Sequence, residues 1–245
     1  MTWLKRFGIL LTWLFVIVGG GLALMSSQDL AKNRPIRDVQ IEIYYPDNQV
    51  FIVESDFASM LREFGAPWDS TLRSEINISL LEEKLRNHPL ILGAEVFSTW
   101  DGVLHIQLQQ KKAQARIIQD TGMMYVDVQG GFFPLSKHSS LALPVLSGLS
   151  DSSECKEALD LLNLASLHRA FPKGWAAMDR NERGSYTVYP QWHAHRIYWG
   201  QADHFEEKAH KVNALYAELL QSGSLDSLKW VDARFNGQVV YGFNK

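Results

Sequence analysis

Histidine is the residue type here best suited to chemistry, so its spacing comes first. His193 and His195 stand two apart in "QWHAHR", which on a strand aims both at one face. His204 and His210 follow. A zinc centre built on them needs a third ligand at a defined spacing, and "WHAH" supplies no such pattern; turn and surface histidines fit the same residues. Cys155, the only cysteine, stands near the start of a predicted helix, where a thiolate would be stabilised. No motif surrounds it, and a buried, inert thiol is the competing reading. One cysteine also excludes an intramolecular disulfide and a multi-cysteine metal site. Glu82 and Glu83 are adjacent on a predicted helix and point in different directions, so they read as solvated. Asp127, in "YVDVQGG", reads as a turn-stabilising carboxylate. There is no phosphate-binding loop, no nucleophile elbow and no H-E-x-x-H. The expectation is no catalytic residue, cofactor or metal: an interaction protein, not an enzyme. A membrane-anchored metal enzyme using the histidines between 193 and 210 is the rival.

Composition narrows the partners. Net charge is -3, with 21% charged residues and no long run of one sign. A nucleic-acid binder would carry a basic stripe. No small-molecule substrate is indicated.

The elements that would position these residues follow an uncharged stretch, Phe7 to Gln28, preceded by Lys5 and Arg6. As a helix rising about 1.5 Å per residue it would cross a hydrocarbon core of about 30 Å. A cleaved signal peptide is the alternative, though the stretch is long and lacks a clean small-residue cleavage site. Lys5 and Arg6 are opposed by Lys32, Arg34 and Arg37 on the other flank, but a long C-terminal domain translocates despite such charges, so the N-terminus inside is favoured.

Beyond a polar linker, "VQIEI" alternates as a half-buried strand, and "QVFIV" reads as a second short one. Phe57, Met60, Leu61 and Phe64 form a helical stripe with Ser55 as its N-cap. A second helix starts near Ser79, with Ser79 and Glu82 as a capping box, and ends before Pro89. "GAEVFST" and "VLHIQLQ" flank "WDG", a strong hairpin signal. Leu104, Ile106 and Leu108 face one way there. The order is β-α-α-β-β.

From Lys112 short strands follow: "ARIIQD", "MMYVDVQ", "GFFPLS", then the extended "ALPVLSG". A helix is predicted over 153–170, strands at "SYTVYP" and "HRIYWG", and a helix over 203–221. The last carries the stripe Phe205, Ala209, Val212, Tyr216, Leu219 and Leu220, with Asp203 and Glu206 capping it. The chain ends with Val231, Ala233, Phe235, Gly237, Val239, Tyr241 and Phe243 at alternate positions. Asn236-Gly237 is either a two-residue turn or a bulge in one continuous strand. The second version, with all seven on one face, explains the pattern better. From these residues alone, Phe235 and Phe243 read as core, and Arg234 as an exposed charge. The fold class is α+β.

Four stretches together resemble the bacterial cell-division family FtsQ/DivIB: 87–117, "YVDVQGGFFPLS", "LPVLSG" and "WVDARFNGQVVYGF". The resemblance implies a tail at 1–6, a transmembrane helix at 7–28 and a linker at 29–37. It then implies a POTRA domain at 38–111 and a C-terminal β domain at 112–245 ending in an edge strand. It also implies a non-enzymatic divisome scaffold in the inner membrane. The C-terminal domains would be periplasmic and enriched at the septum, recruiting FtsB-like and FtsL-like partners. Strand addition at the last strand would use Arg234, Phe235, Gly237 and Phe243, with Trp230 and Tyr241 from the same stretch. Arg234 would offer a bidentate fork to an acidic partner residue. Departures are Asp101 after Trp100, Ala113 for a proline, Phe235 for a tyrosine and Gly237 for a small hydroxyl residue. A POTRA-bearing secretion or outer-membrane assembly component is a further alternative, although only one such unit is visible.

Overall fold

Alternating apolar residues and turn glycines build two units in the computed structural model, which describes residues 17–18, 35–64, 66, 71–120 and 122–243. The expected tail 1–6 and membrane segment 7–28 lie outside the described residues, Ile17 and Val18 excepted, as does most of the linker 29–37. Among the described residues no helix is long and apolar enough to cross a membrane.

The first unit takes Ile52–Gln110 and the described residues before Pro46. It contains β1 (Asp38–Tyr44), α1 (Ala58–Glu63), α2 (Ile78–Arg86), β2 (Ile91–Ser98) and β3 (Val103–Gln110). The sheet order is β1-β3-β2. β3 is parallel to β1 and antiparallel to β2. Leu104, Ile106 and Leu108 face the core with Leu81 and Leu85 of α2, while the alternate residues face outward.

Both expected helix caps are corrected. The Asp56 carboxylate, not Ser55, accepts from the Val53 N–H, at 2.9 Å. Asn77, not Ser79, caps α2 by accepting from the Leu80 N–H at 3.1 Å. Asparagine one residue before the first helical position satisfies an orphan amide as well as serine does. That frees Glu82 for another task.

"QVFIV" forms no strand. Pro46–Phe51 belongs to the second unit. There Gln49 exchanges two hydrogen bonds with the Ala113 backbone, at 3.0 and 2.9 Å. Phe51 stacks on Tyr125 with ring centroids 4.8 Å apart. Its apolar pattern reflects anchoring, not pairing.

The second unit continues from Lys111. Its strands are β4 (Ala115–Gln119), β5 (Gly122–Val126), β6 (Phe132–Pro134), β7 (Val145–Ser147), β8 (Trp175–Arg180), β9 (Tyr186–Pro190), β10 (Arg196–Gly200), β11 (Leu228–Asp232) and β12 (Val240–Phe243). They make one mixed sheet in the order β12-β11-β10-β9-β8-β7-β4-β5-β6. Helices α3 (Ser152–Leu167) and α4 (Phe205–Gln221) pack on it. β8 was not expected. A register shift between Trp175 and Ala177 breaks the period of two that would have marked it. α3 is capped by Asp151, whose Oδ1 accepts from the Ser153 and Glu154 amides. α4 starts after His204 in the left-handed region, and Asp203 pairs with Lys208 instead of capping. Leu220 leaves the expected stripe for solvent, and Leu215 joins it. Trp175 and Trp199 pack edge to face, 5.1 Å apart, beneath α4 residue Phe205.

The last strand does not run through Gly237. β11 and β12 are an antiparallel hairpin, with Val231 opposite Tyr241 and Asp232 opposite Val240. Asn236 and Gly237 form the turn between them, Gly237 at φ +71. The alternating residues therefore belong to two strands; opposed ones such as Val231 and Tyr241 share a face, and what separates the two arms is burial. Val231 and Ala233 are buried, and Phe235, Tyr241 and Phe243 are exposed.

Candidate partner-binding edge

β12 stands at the end of its sheet, and among the described residues no strand pairs with its outer side. Strand residues with an apolar side chain ordinarily pack inward. Here Phe235 is 47% exposed, Phe243 43% and Tyr241 36%. The core assignment of Phe235 and Phe243 is overturned. Tyr241 and Phe243, two apart and so on one side of the strand, meet edge to face at 5.5 Å. Val240 is exposed beside them.

Trp230 is half-buried and serves as a floor. A Cβ on Gly242 would stand 2.6 Å from its Nε1, so only glycine lets β12 lie this close to the indole. The ring of Tyr198, on β10, lies 6.3 Å from that of Trp230.

Arg234 differs from its expected use. Its fork closes on its own chain: Nε donates to Asp232 Oδ1 at 2.8 Å, and Nη2 donates to Oδ2 at 2.5 Å. The guanidinium also lies 5.4 Å from the Tyr198 ring. These hydrogen bonds hold the Asp232 carboxyl below the ordinary range, burial opposing them, and raise Arg234 in turn. Arg234 is therefore an already neutralised group with its outer side exposed, not the open fork that was expected. The loop before β12 is fixed too, because Lys211 Nζ donates to the Phe235 carbonyl at 2.7 Å while pairing with Glu207. Asp232, Tyr198 and Lys211 were missed from sequence. The Asp-x-Arg spacing signals the first; the other two are brought in only by the fold.

The residues weighed for chemistry do not converge. His195 is 4% exposed and shares a 2.7 Å hydrogen bond with Tyr216. Burial pushes its pKa down to about 4. His193 faces Asp226 at 3.5 Å and His204 faces Asp203 at 3.8 Å. His210 instead joins His168 and Glu206, with ligand atoms within 4.8 Å of one another. His168 Nδ1 accepts from the Ala170 N–H at 3.1 Å. In neutral imidazole this places the proton on Nε2, the atom turned toward Glu206 at 3.7 Å. A metal there would need that lone pair free, so the trio is poorly set for coordination. Cys155 is fully buried, its thiol pushed up to about 11 by burial and by Asp151 and Glu154. Asp127 is a turn carboxylate, accepting from the Gln129 and Gly131 amides at 2.9 Å.

Comparison with known proteins bears on the same regions. Residues 35–109 match the model of a POTRA-like domain. Residues 113–241 match the family model described as FtsQ/DivIB, C-terminal related. No curated protein matches the chain. The second match takes in β4 through most of β12, including Trp230, Arg234, Phe235, Gly237 and Tyr241 and leaving out Phe243. Since it spans more than half of the chain and follows a POTRA-like unit, the protein belongs to the FtsQ/DivIB family of POTRA-containing proteins.

Proposed function

We propose that this chain is a non-enzymatic scaffold of the bacterial division machinery, one that takes an extended segment of a partner onto the outer edge of β12. The observation that carries the reading is the exposure of Phe235, Tyr241 and Phe243 beside an unpaired strand edge. In strand addition, main-chain hydrogen bonds supply affinity and side-chain contacts supply specificity. Aromatic side chains are the usual anchors. Family membership makes an FtsB-like protein the partner of choice, with an FtsL-like protein recruited alongside it. The segment 7–28 would anchor the chain in the inner membrane with residues 1–6 cytoplasmic, both globular units periplasmic and the protein enriched at the septum.

Arg234 acts in this reading as a rigid platform. With Asp232 holding its Nε and Nη2, it offers its outer face and remaining N–H groups to a carbonyl or a planar side chain.

The test is affinity capture from membranes with wild type and with Arg234→Glu plus Phe235→Ala. Loss of FtsB-like and FtsL-like partners, with circular dichroism unchanged, supports the reading. Retained partners refute the site. A fluorescent fusion evenly spread around dividing cells refutes the septal role.

A further inference from the structure

The other sheet has its own end strand, and its edge is not bare. β2 is terminal in the order β1-β3-β2. Val96 gives its N–H to Glu82 Oε2 at 3.1 Å, so this amide points away from β3. Two residues earlier, the Ala94 carbonyl accepts from Arg86 Nε at 3.0 Å. Glu82 and Arg86 sit one turn apart on α2 and pair with each other at 2.6 Å. The Ala94 carbonyl and the Val96 amide flank Glu95 and are two of the outward groups a fourth strand would use, the pair that a parallel one would take together. A carboxylate and a guanidinium thus occupy the positions of a backbone acceptor and a backbone donor.

The site is otherwise fit for a strand. Leu92 and Phe97 are exposed along it. The groove of about 750 Å³ that Glu82 and Arg86 help to line runs the other way, past Glu95 and Gln109 to Tyr44 of β1, and so leaves the lane of a fourth strand to the pair itself. Exposed edges with apolar side chains pair readily with copies of themselves unless something blocks them.

We propose that Glu82 and Arg86 are a side-chain guard that holds the β2 edge shut against strand addition by a second copy of this chain. The pair occupies the middle of the edge, so an incoming strand must first break both of these hydrogen bonds. The inference does not depend on the partner reading of β12.

Amide hydrogen exchange and sedimentation of the full-length chain in detergent test it. In wild type the Val96 amide is protected like the amides paired to β3, and the chain keeps one sedimentation state. In Glu82→Ala that amide exchanges about tenfold faster, the loss of one hydrogen bond, and the chain shifts toward dimers. Glu82→Gln keeps an acceptor oxygen and the wild-type behaviour. Arg86→Ala, which frees only the Ala94 carbonyl, associates more weakly than Glu82→Ala. A Val96 amide exchanging freely in wild type overturns the guard. So does a Glu82→Ala chain that folds and shows either change without the other, or neither. Should Glu82→Ala fail to fold, the wild-type exchange rate and the Arg86→Ala state decide.

Discussion

Two terminal strands of this molecule present opposite chemistry. On β2, the outward amide of Val96 and carbonyl of Ala94 are met by Glu82 and Arg86. On β12, charge is drawn inward instead: Arg234 folds back onto Asp232, leaving three aromatic side chains around the edge. The same two residue types, an acid and an arginine, hold another element's strand edge in one place and only their own segment in the other, where Asp232 Oδ1 also accepts from the Arg234 N–H at 3.1 Å. The difference lies in reach. Glu82 and Arg86 project from a neighbouring helix across to a strand, whereas Asp232 and Arg234 are two apart in one chain and satisfy each other.

That contrast can be broken at several points. The largest effect is expected from Phe235→Ala combined with Phe243→Ala. On the proposed reading each anchor contributes about 2 kcal/mol, so affinity for an FtsB-like partner falls about a thousandfold by calorimetric titration. Both side chains are exposed, so the unfolding free energy from urea titration stays within about 0.5 kcal/mol of wild type. A large loss of stability would return them to the core. Next is Gly242→Val, whose Cβ collides with the Trp230 indole. Displacing β12 should cost about 1–3 kcal/mol and weaken partner capture as well, separating edge geometry from anchor chemistry.

Glu82→Ala should cost about 1–3 kcal/mol in the first unit, because a strand amide loses its acceptor. The midpoint of the first unit's denaturation should move while the second unit's does not. The smallest effect belongs to Asp232→Asn. A carboxyl depressed below 3.8 stabilises the fold above that pH and loses the contribution as pH falls through its folded value. Wild type should therefore weaken more steeply than Asp232→Asn below about pH 4, read by acid titration of circular dichroism.

Local signals gave much of this away. The "WDG" hairpin, the stripe of α4 and the burial of Leu104, Ile106 and Leu108 were legible because each rests on neighbours in sequence. Asn77 was overlooked because Ser79 offered an equally good capping pattern two residues later. β8 hid behind a bulge. The terminal alternation was legible as strand but not as two strands, since Asn236-Gly237 reverses the chain between its halves. The exposure of Phe235 and Phe243 was not legible from the residues, because an apolar side chain on a strand looks the same whether it meets a core or a partner. Nor was the guard: Glu82 and Val96 are 14 residues apart, and only packing α2 against β2 brings them together.

Cys155 gives the second unit a built-in clock. It is the only sulfhydryl in the chain and lies wholly within the packing of α3. With its pKa near 11, it is both hidden and protonated at neutral pH. A thiol reagent can modify it only during openings that lift α3 from the sheet, so the labelling rate counts those openings. A strand that binds β12 only in the folded state must slow labelling by the factor 1 + [L]/Kd wherever the opening also releases β12. If labelling stays unchanged at saturating partner, α3 opens as a cooperative unit separate from the β12 edge.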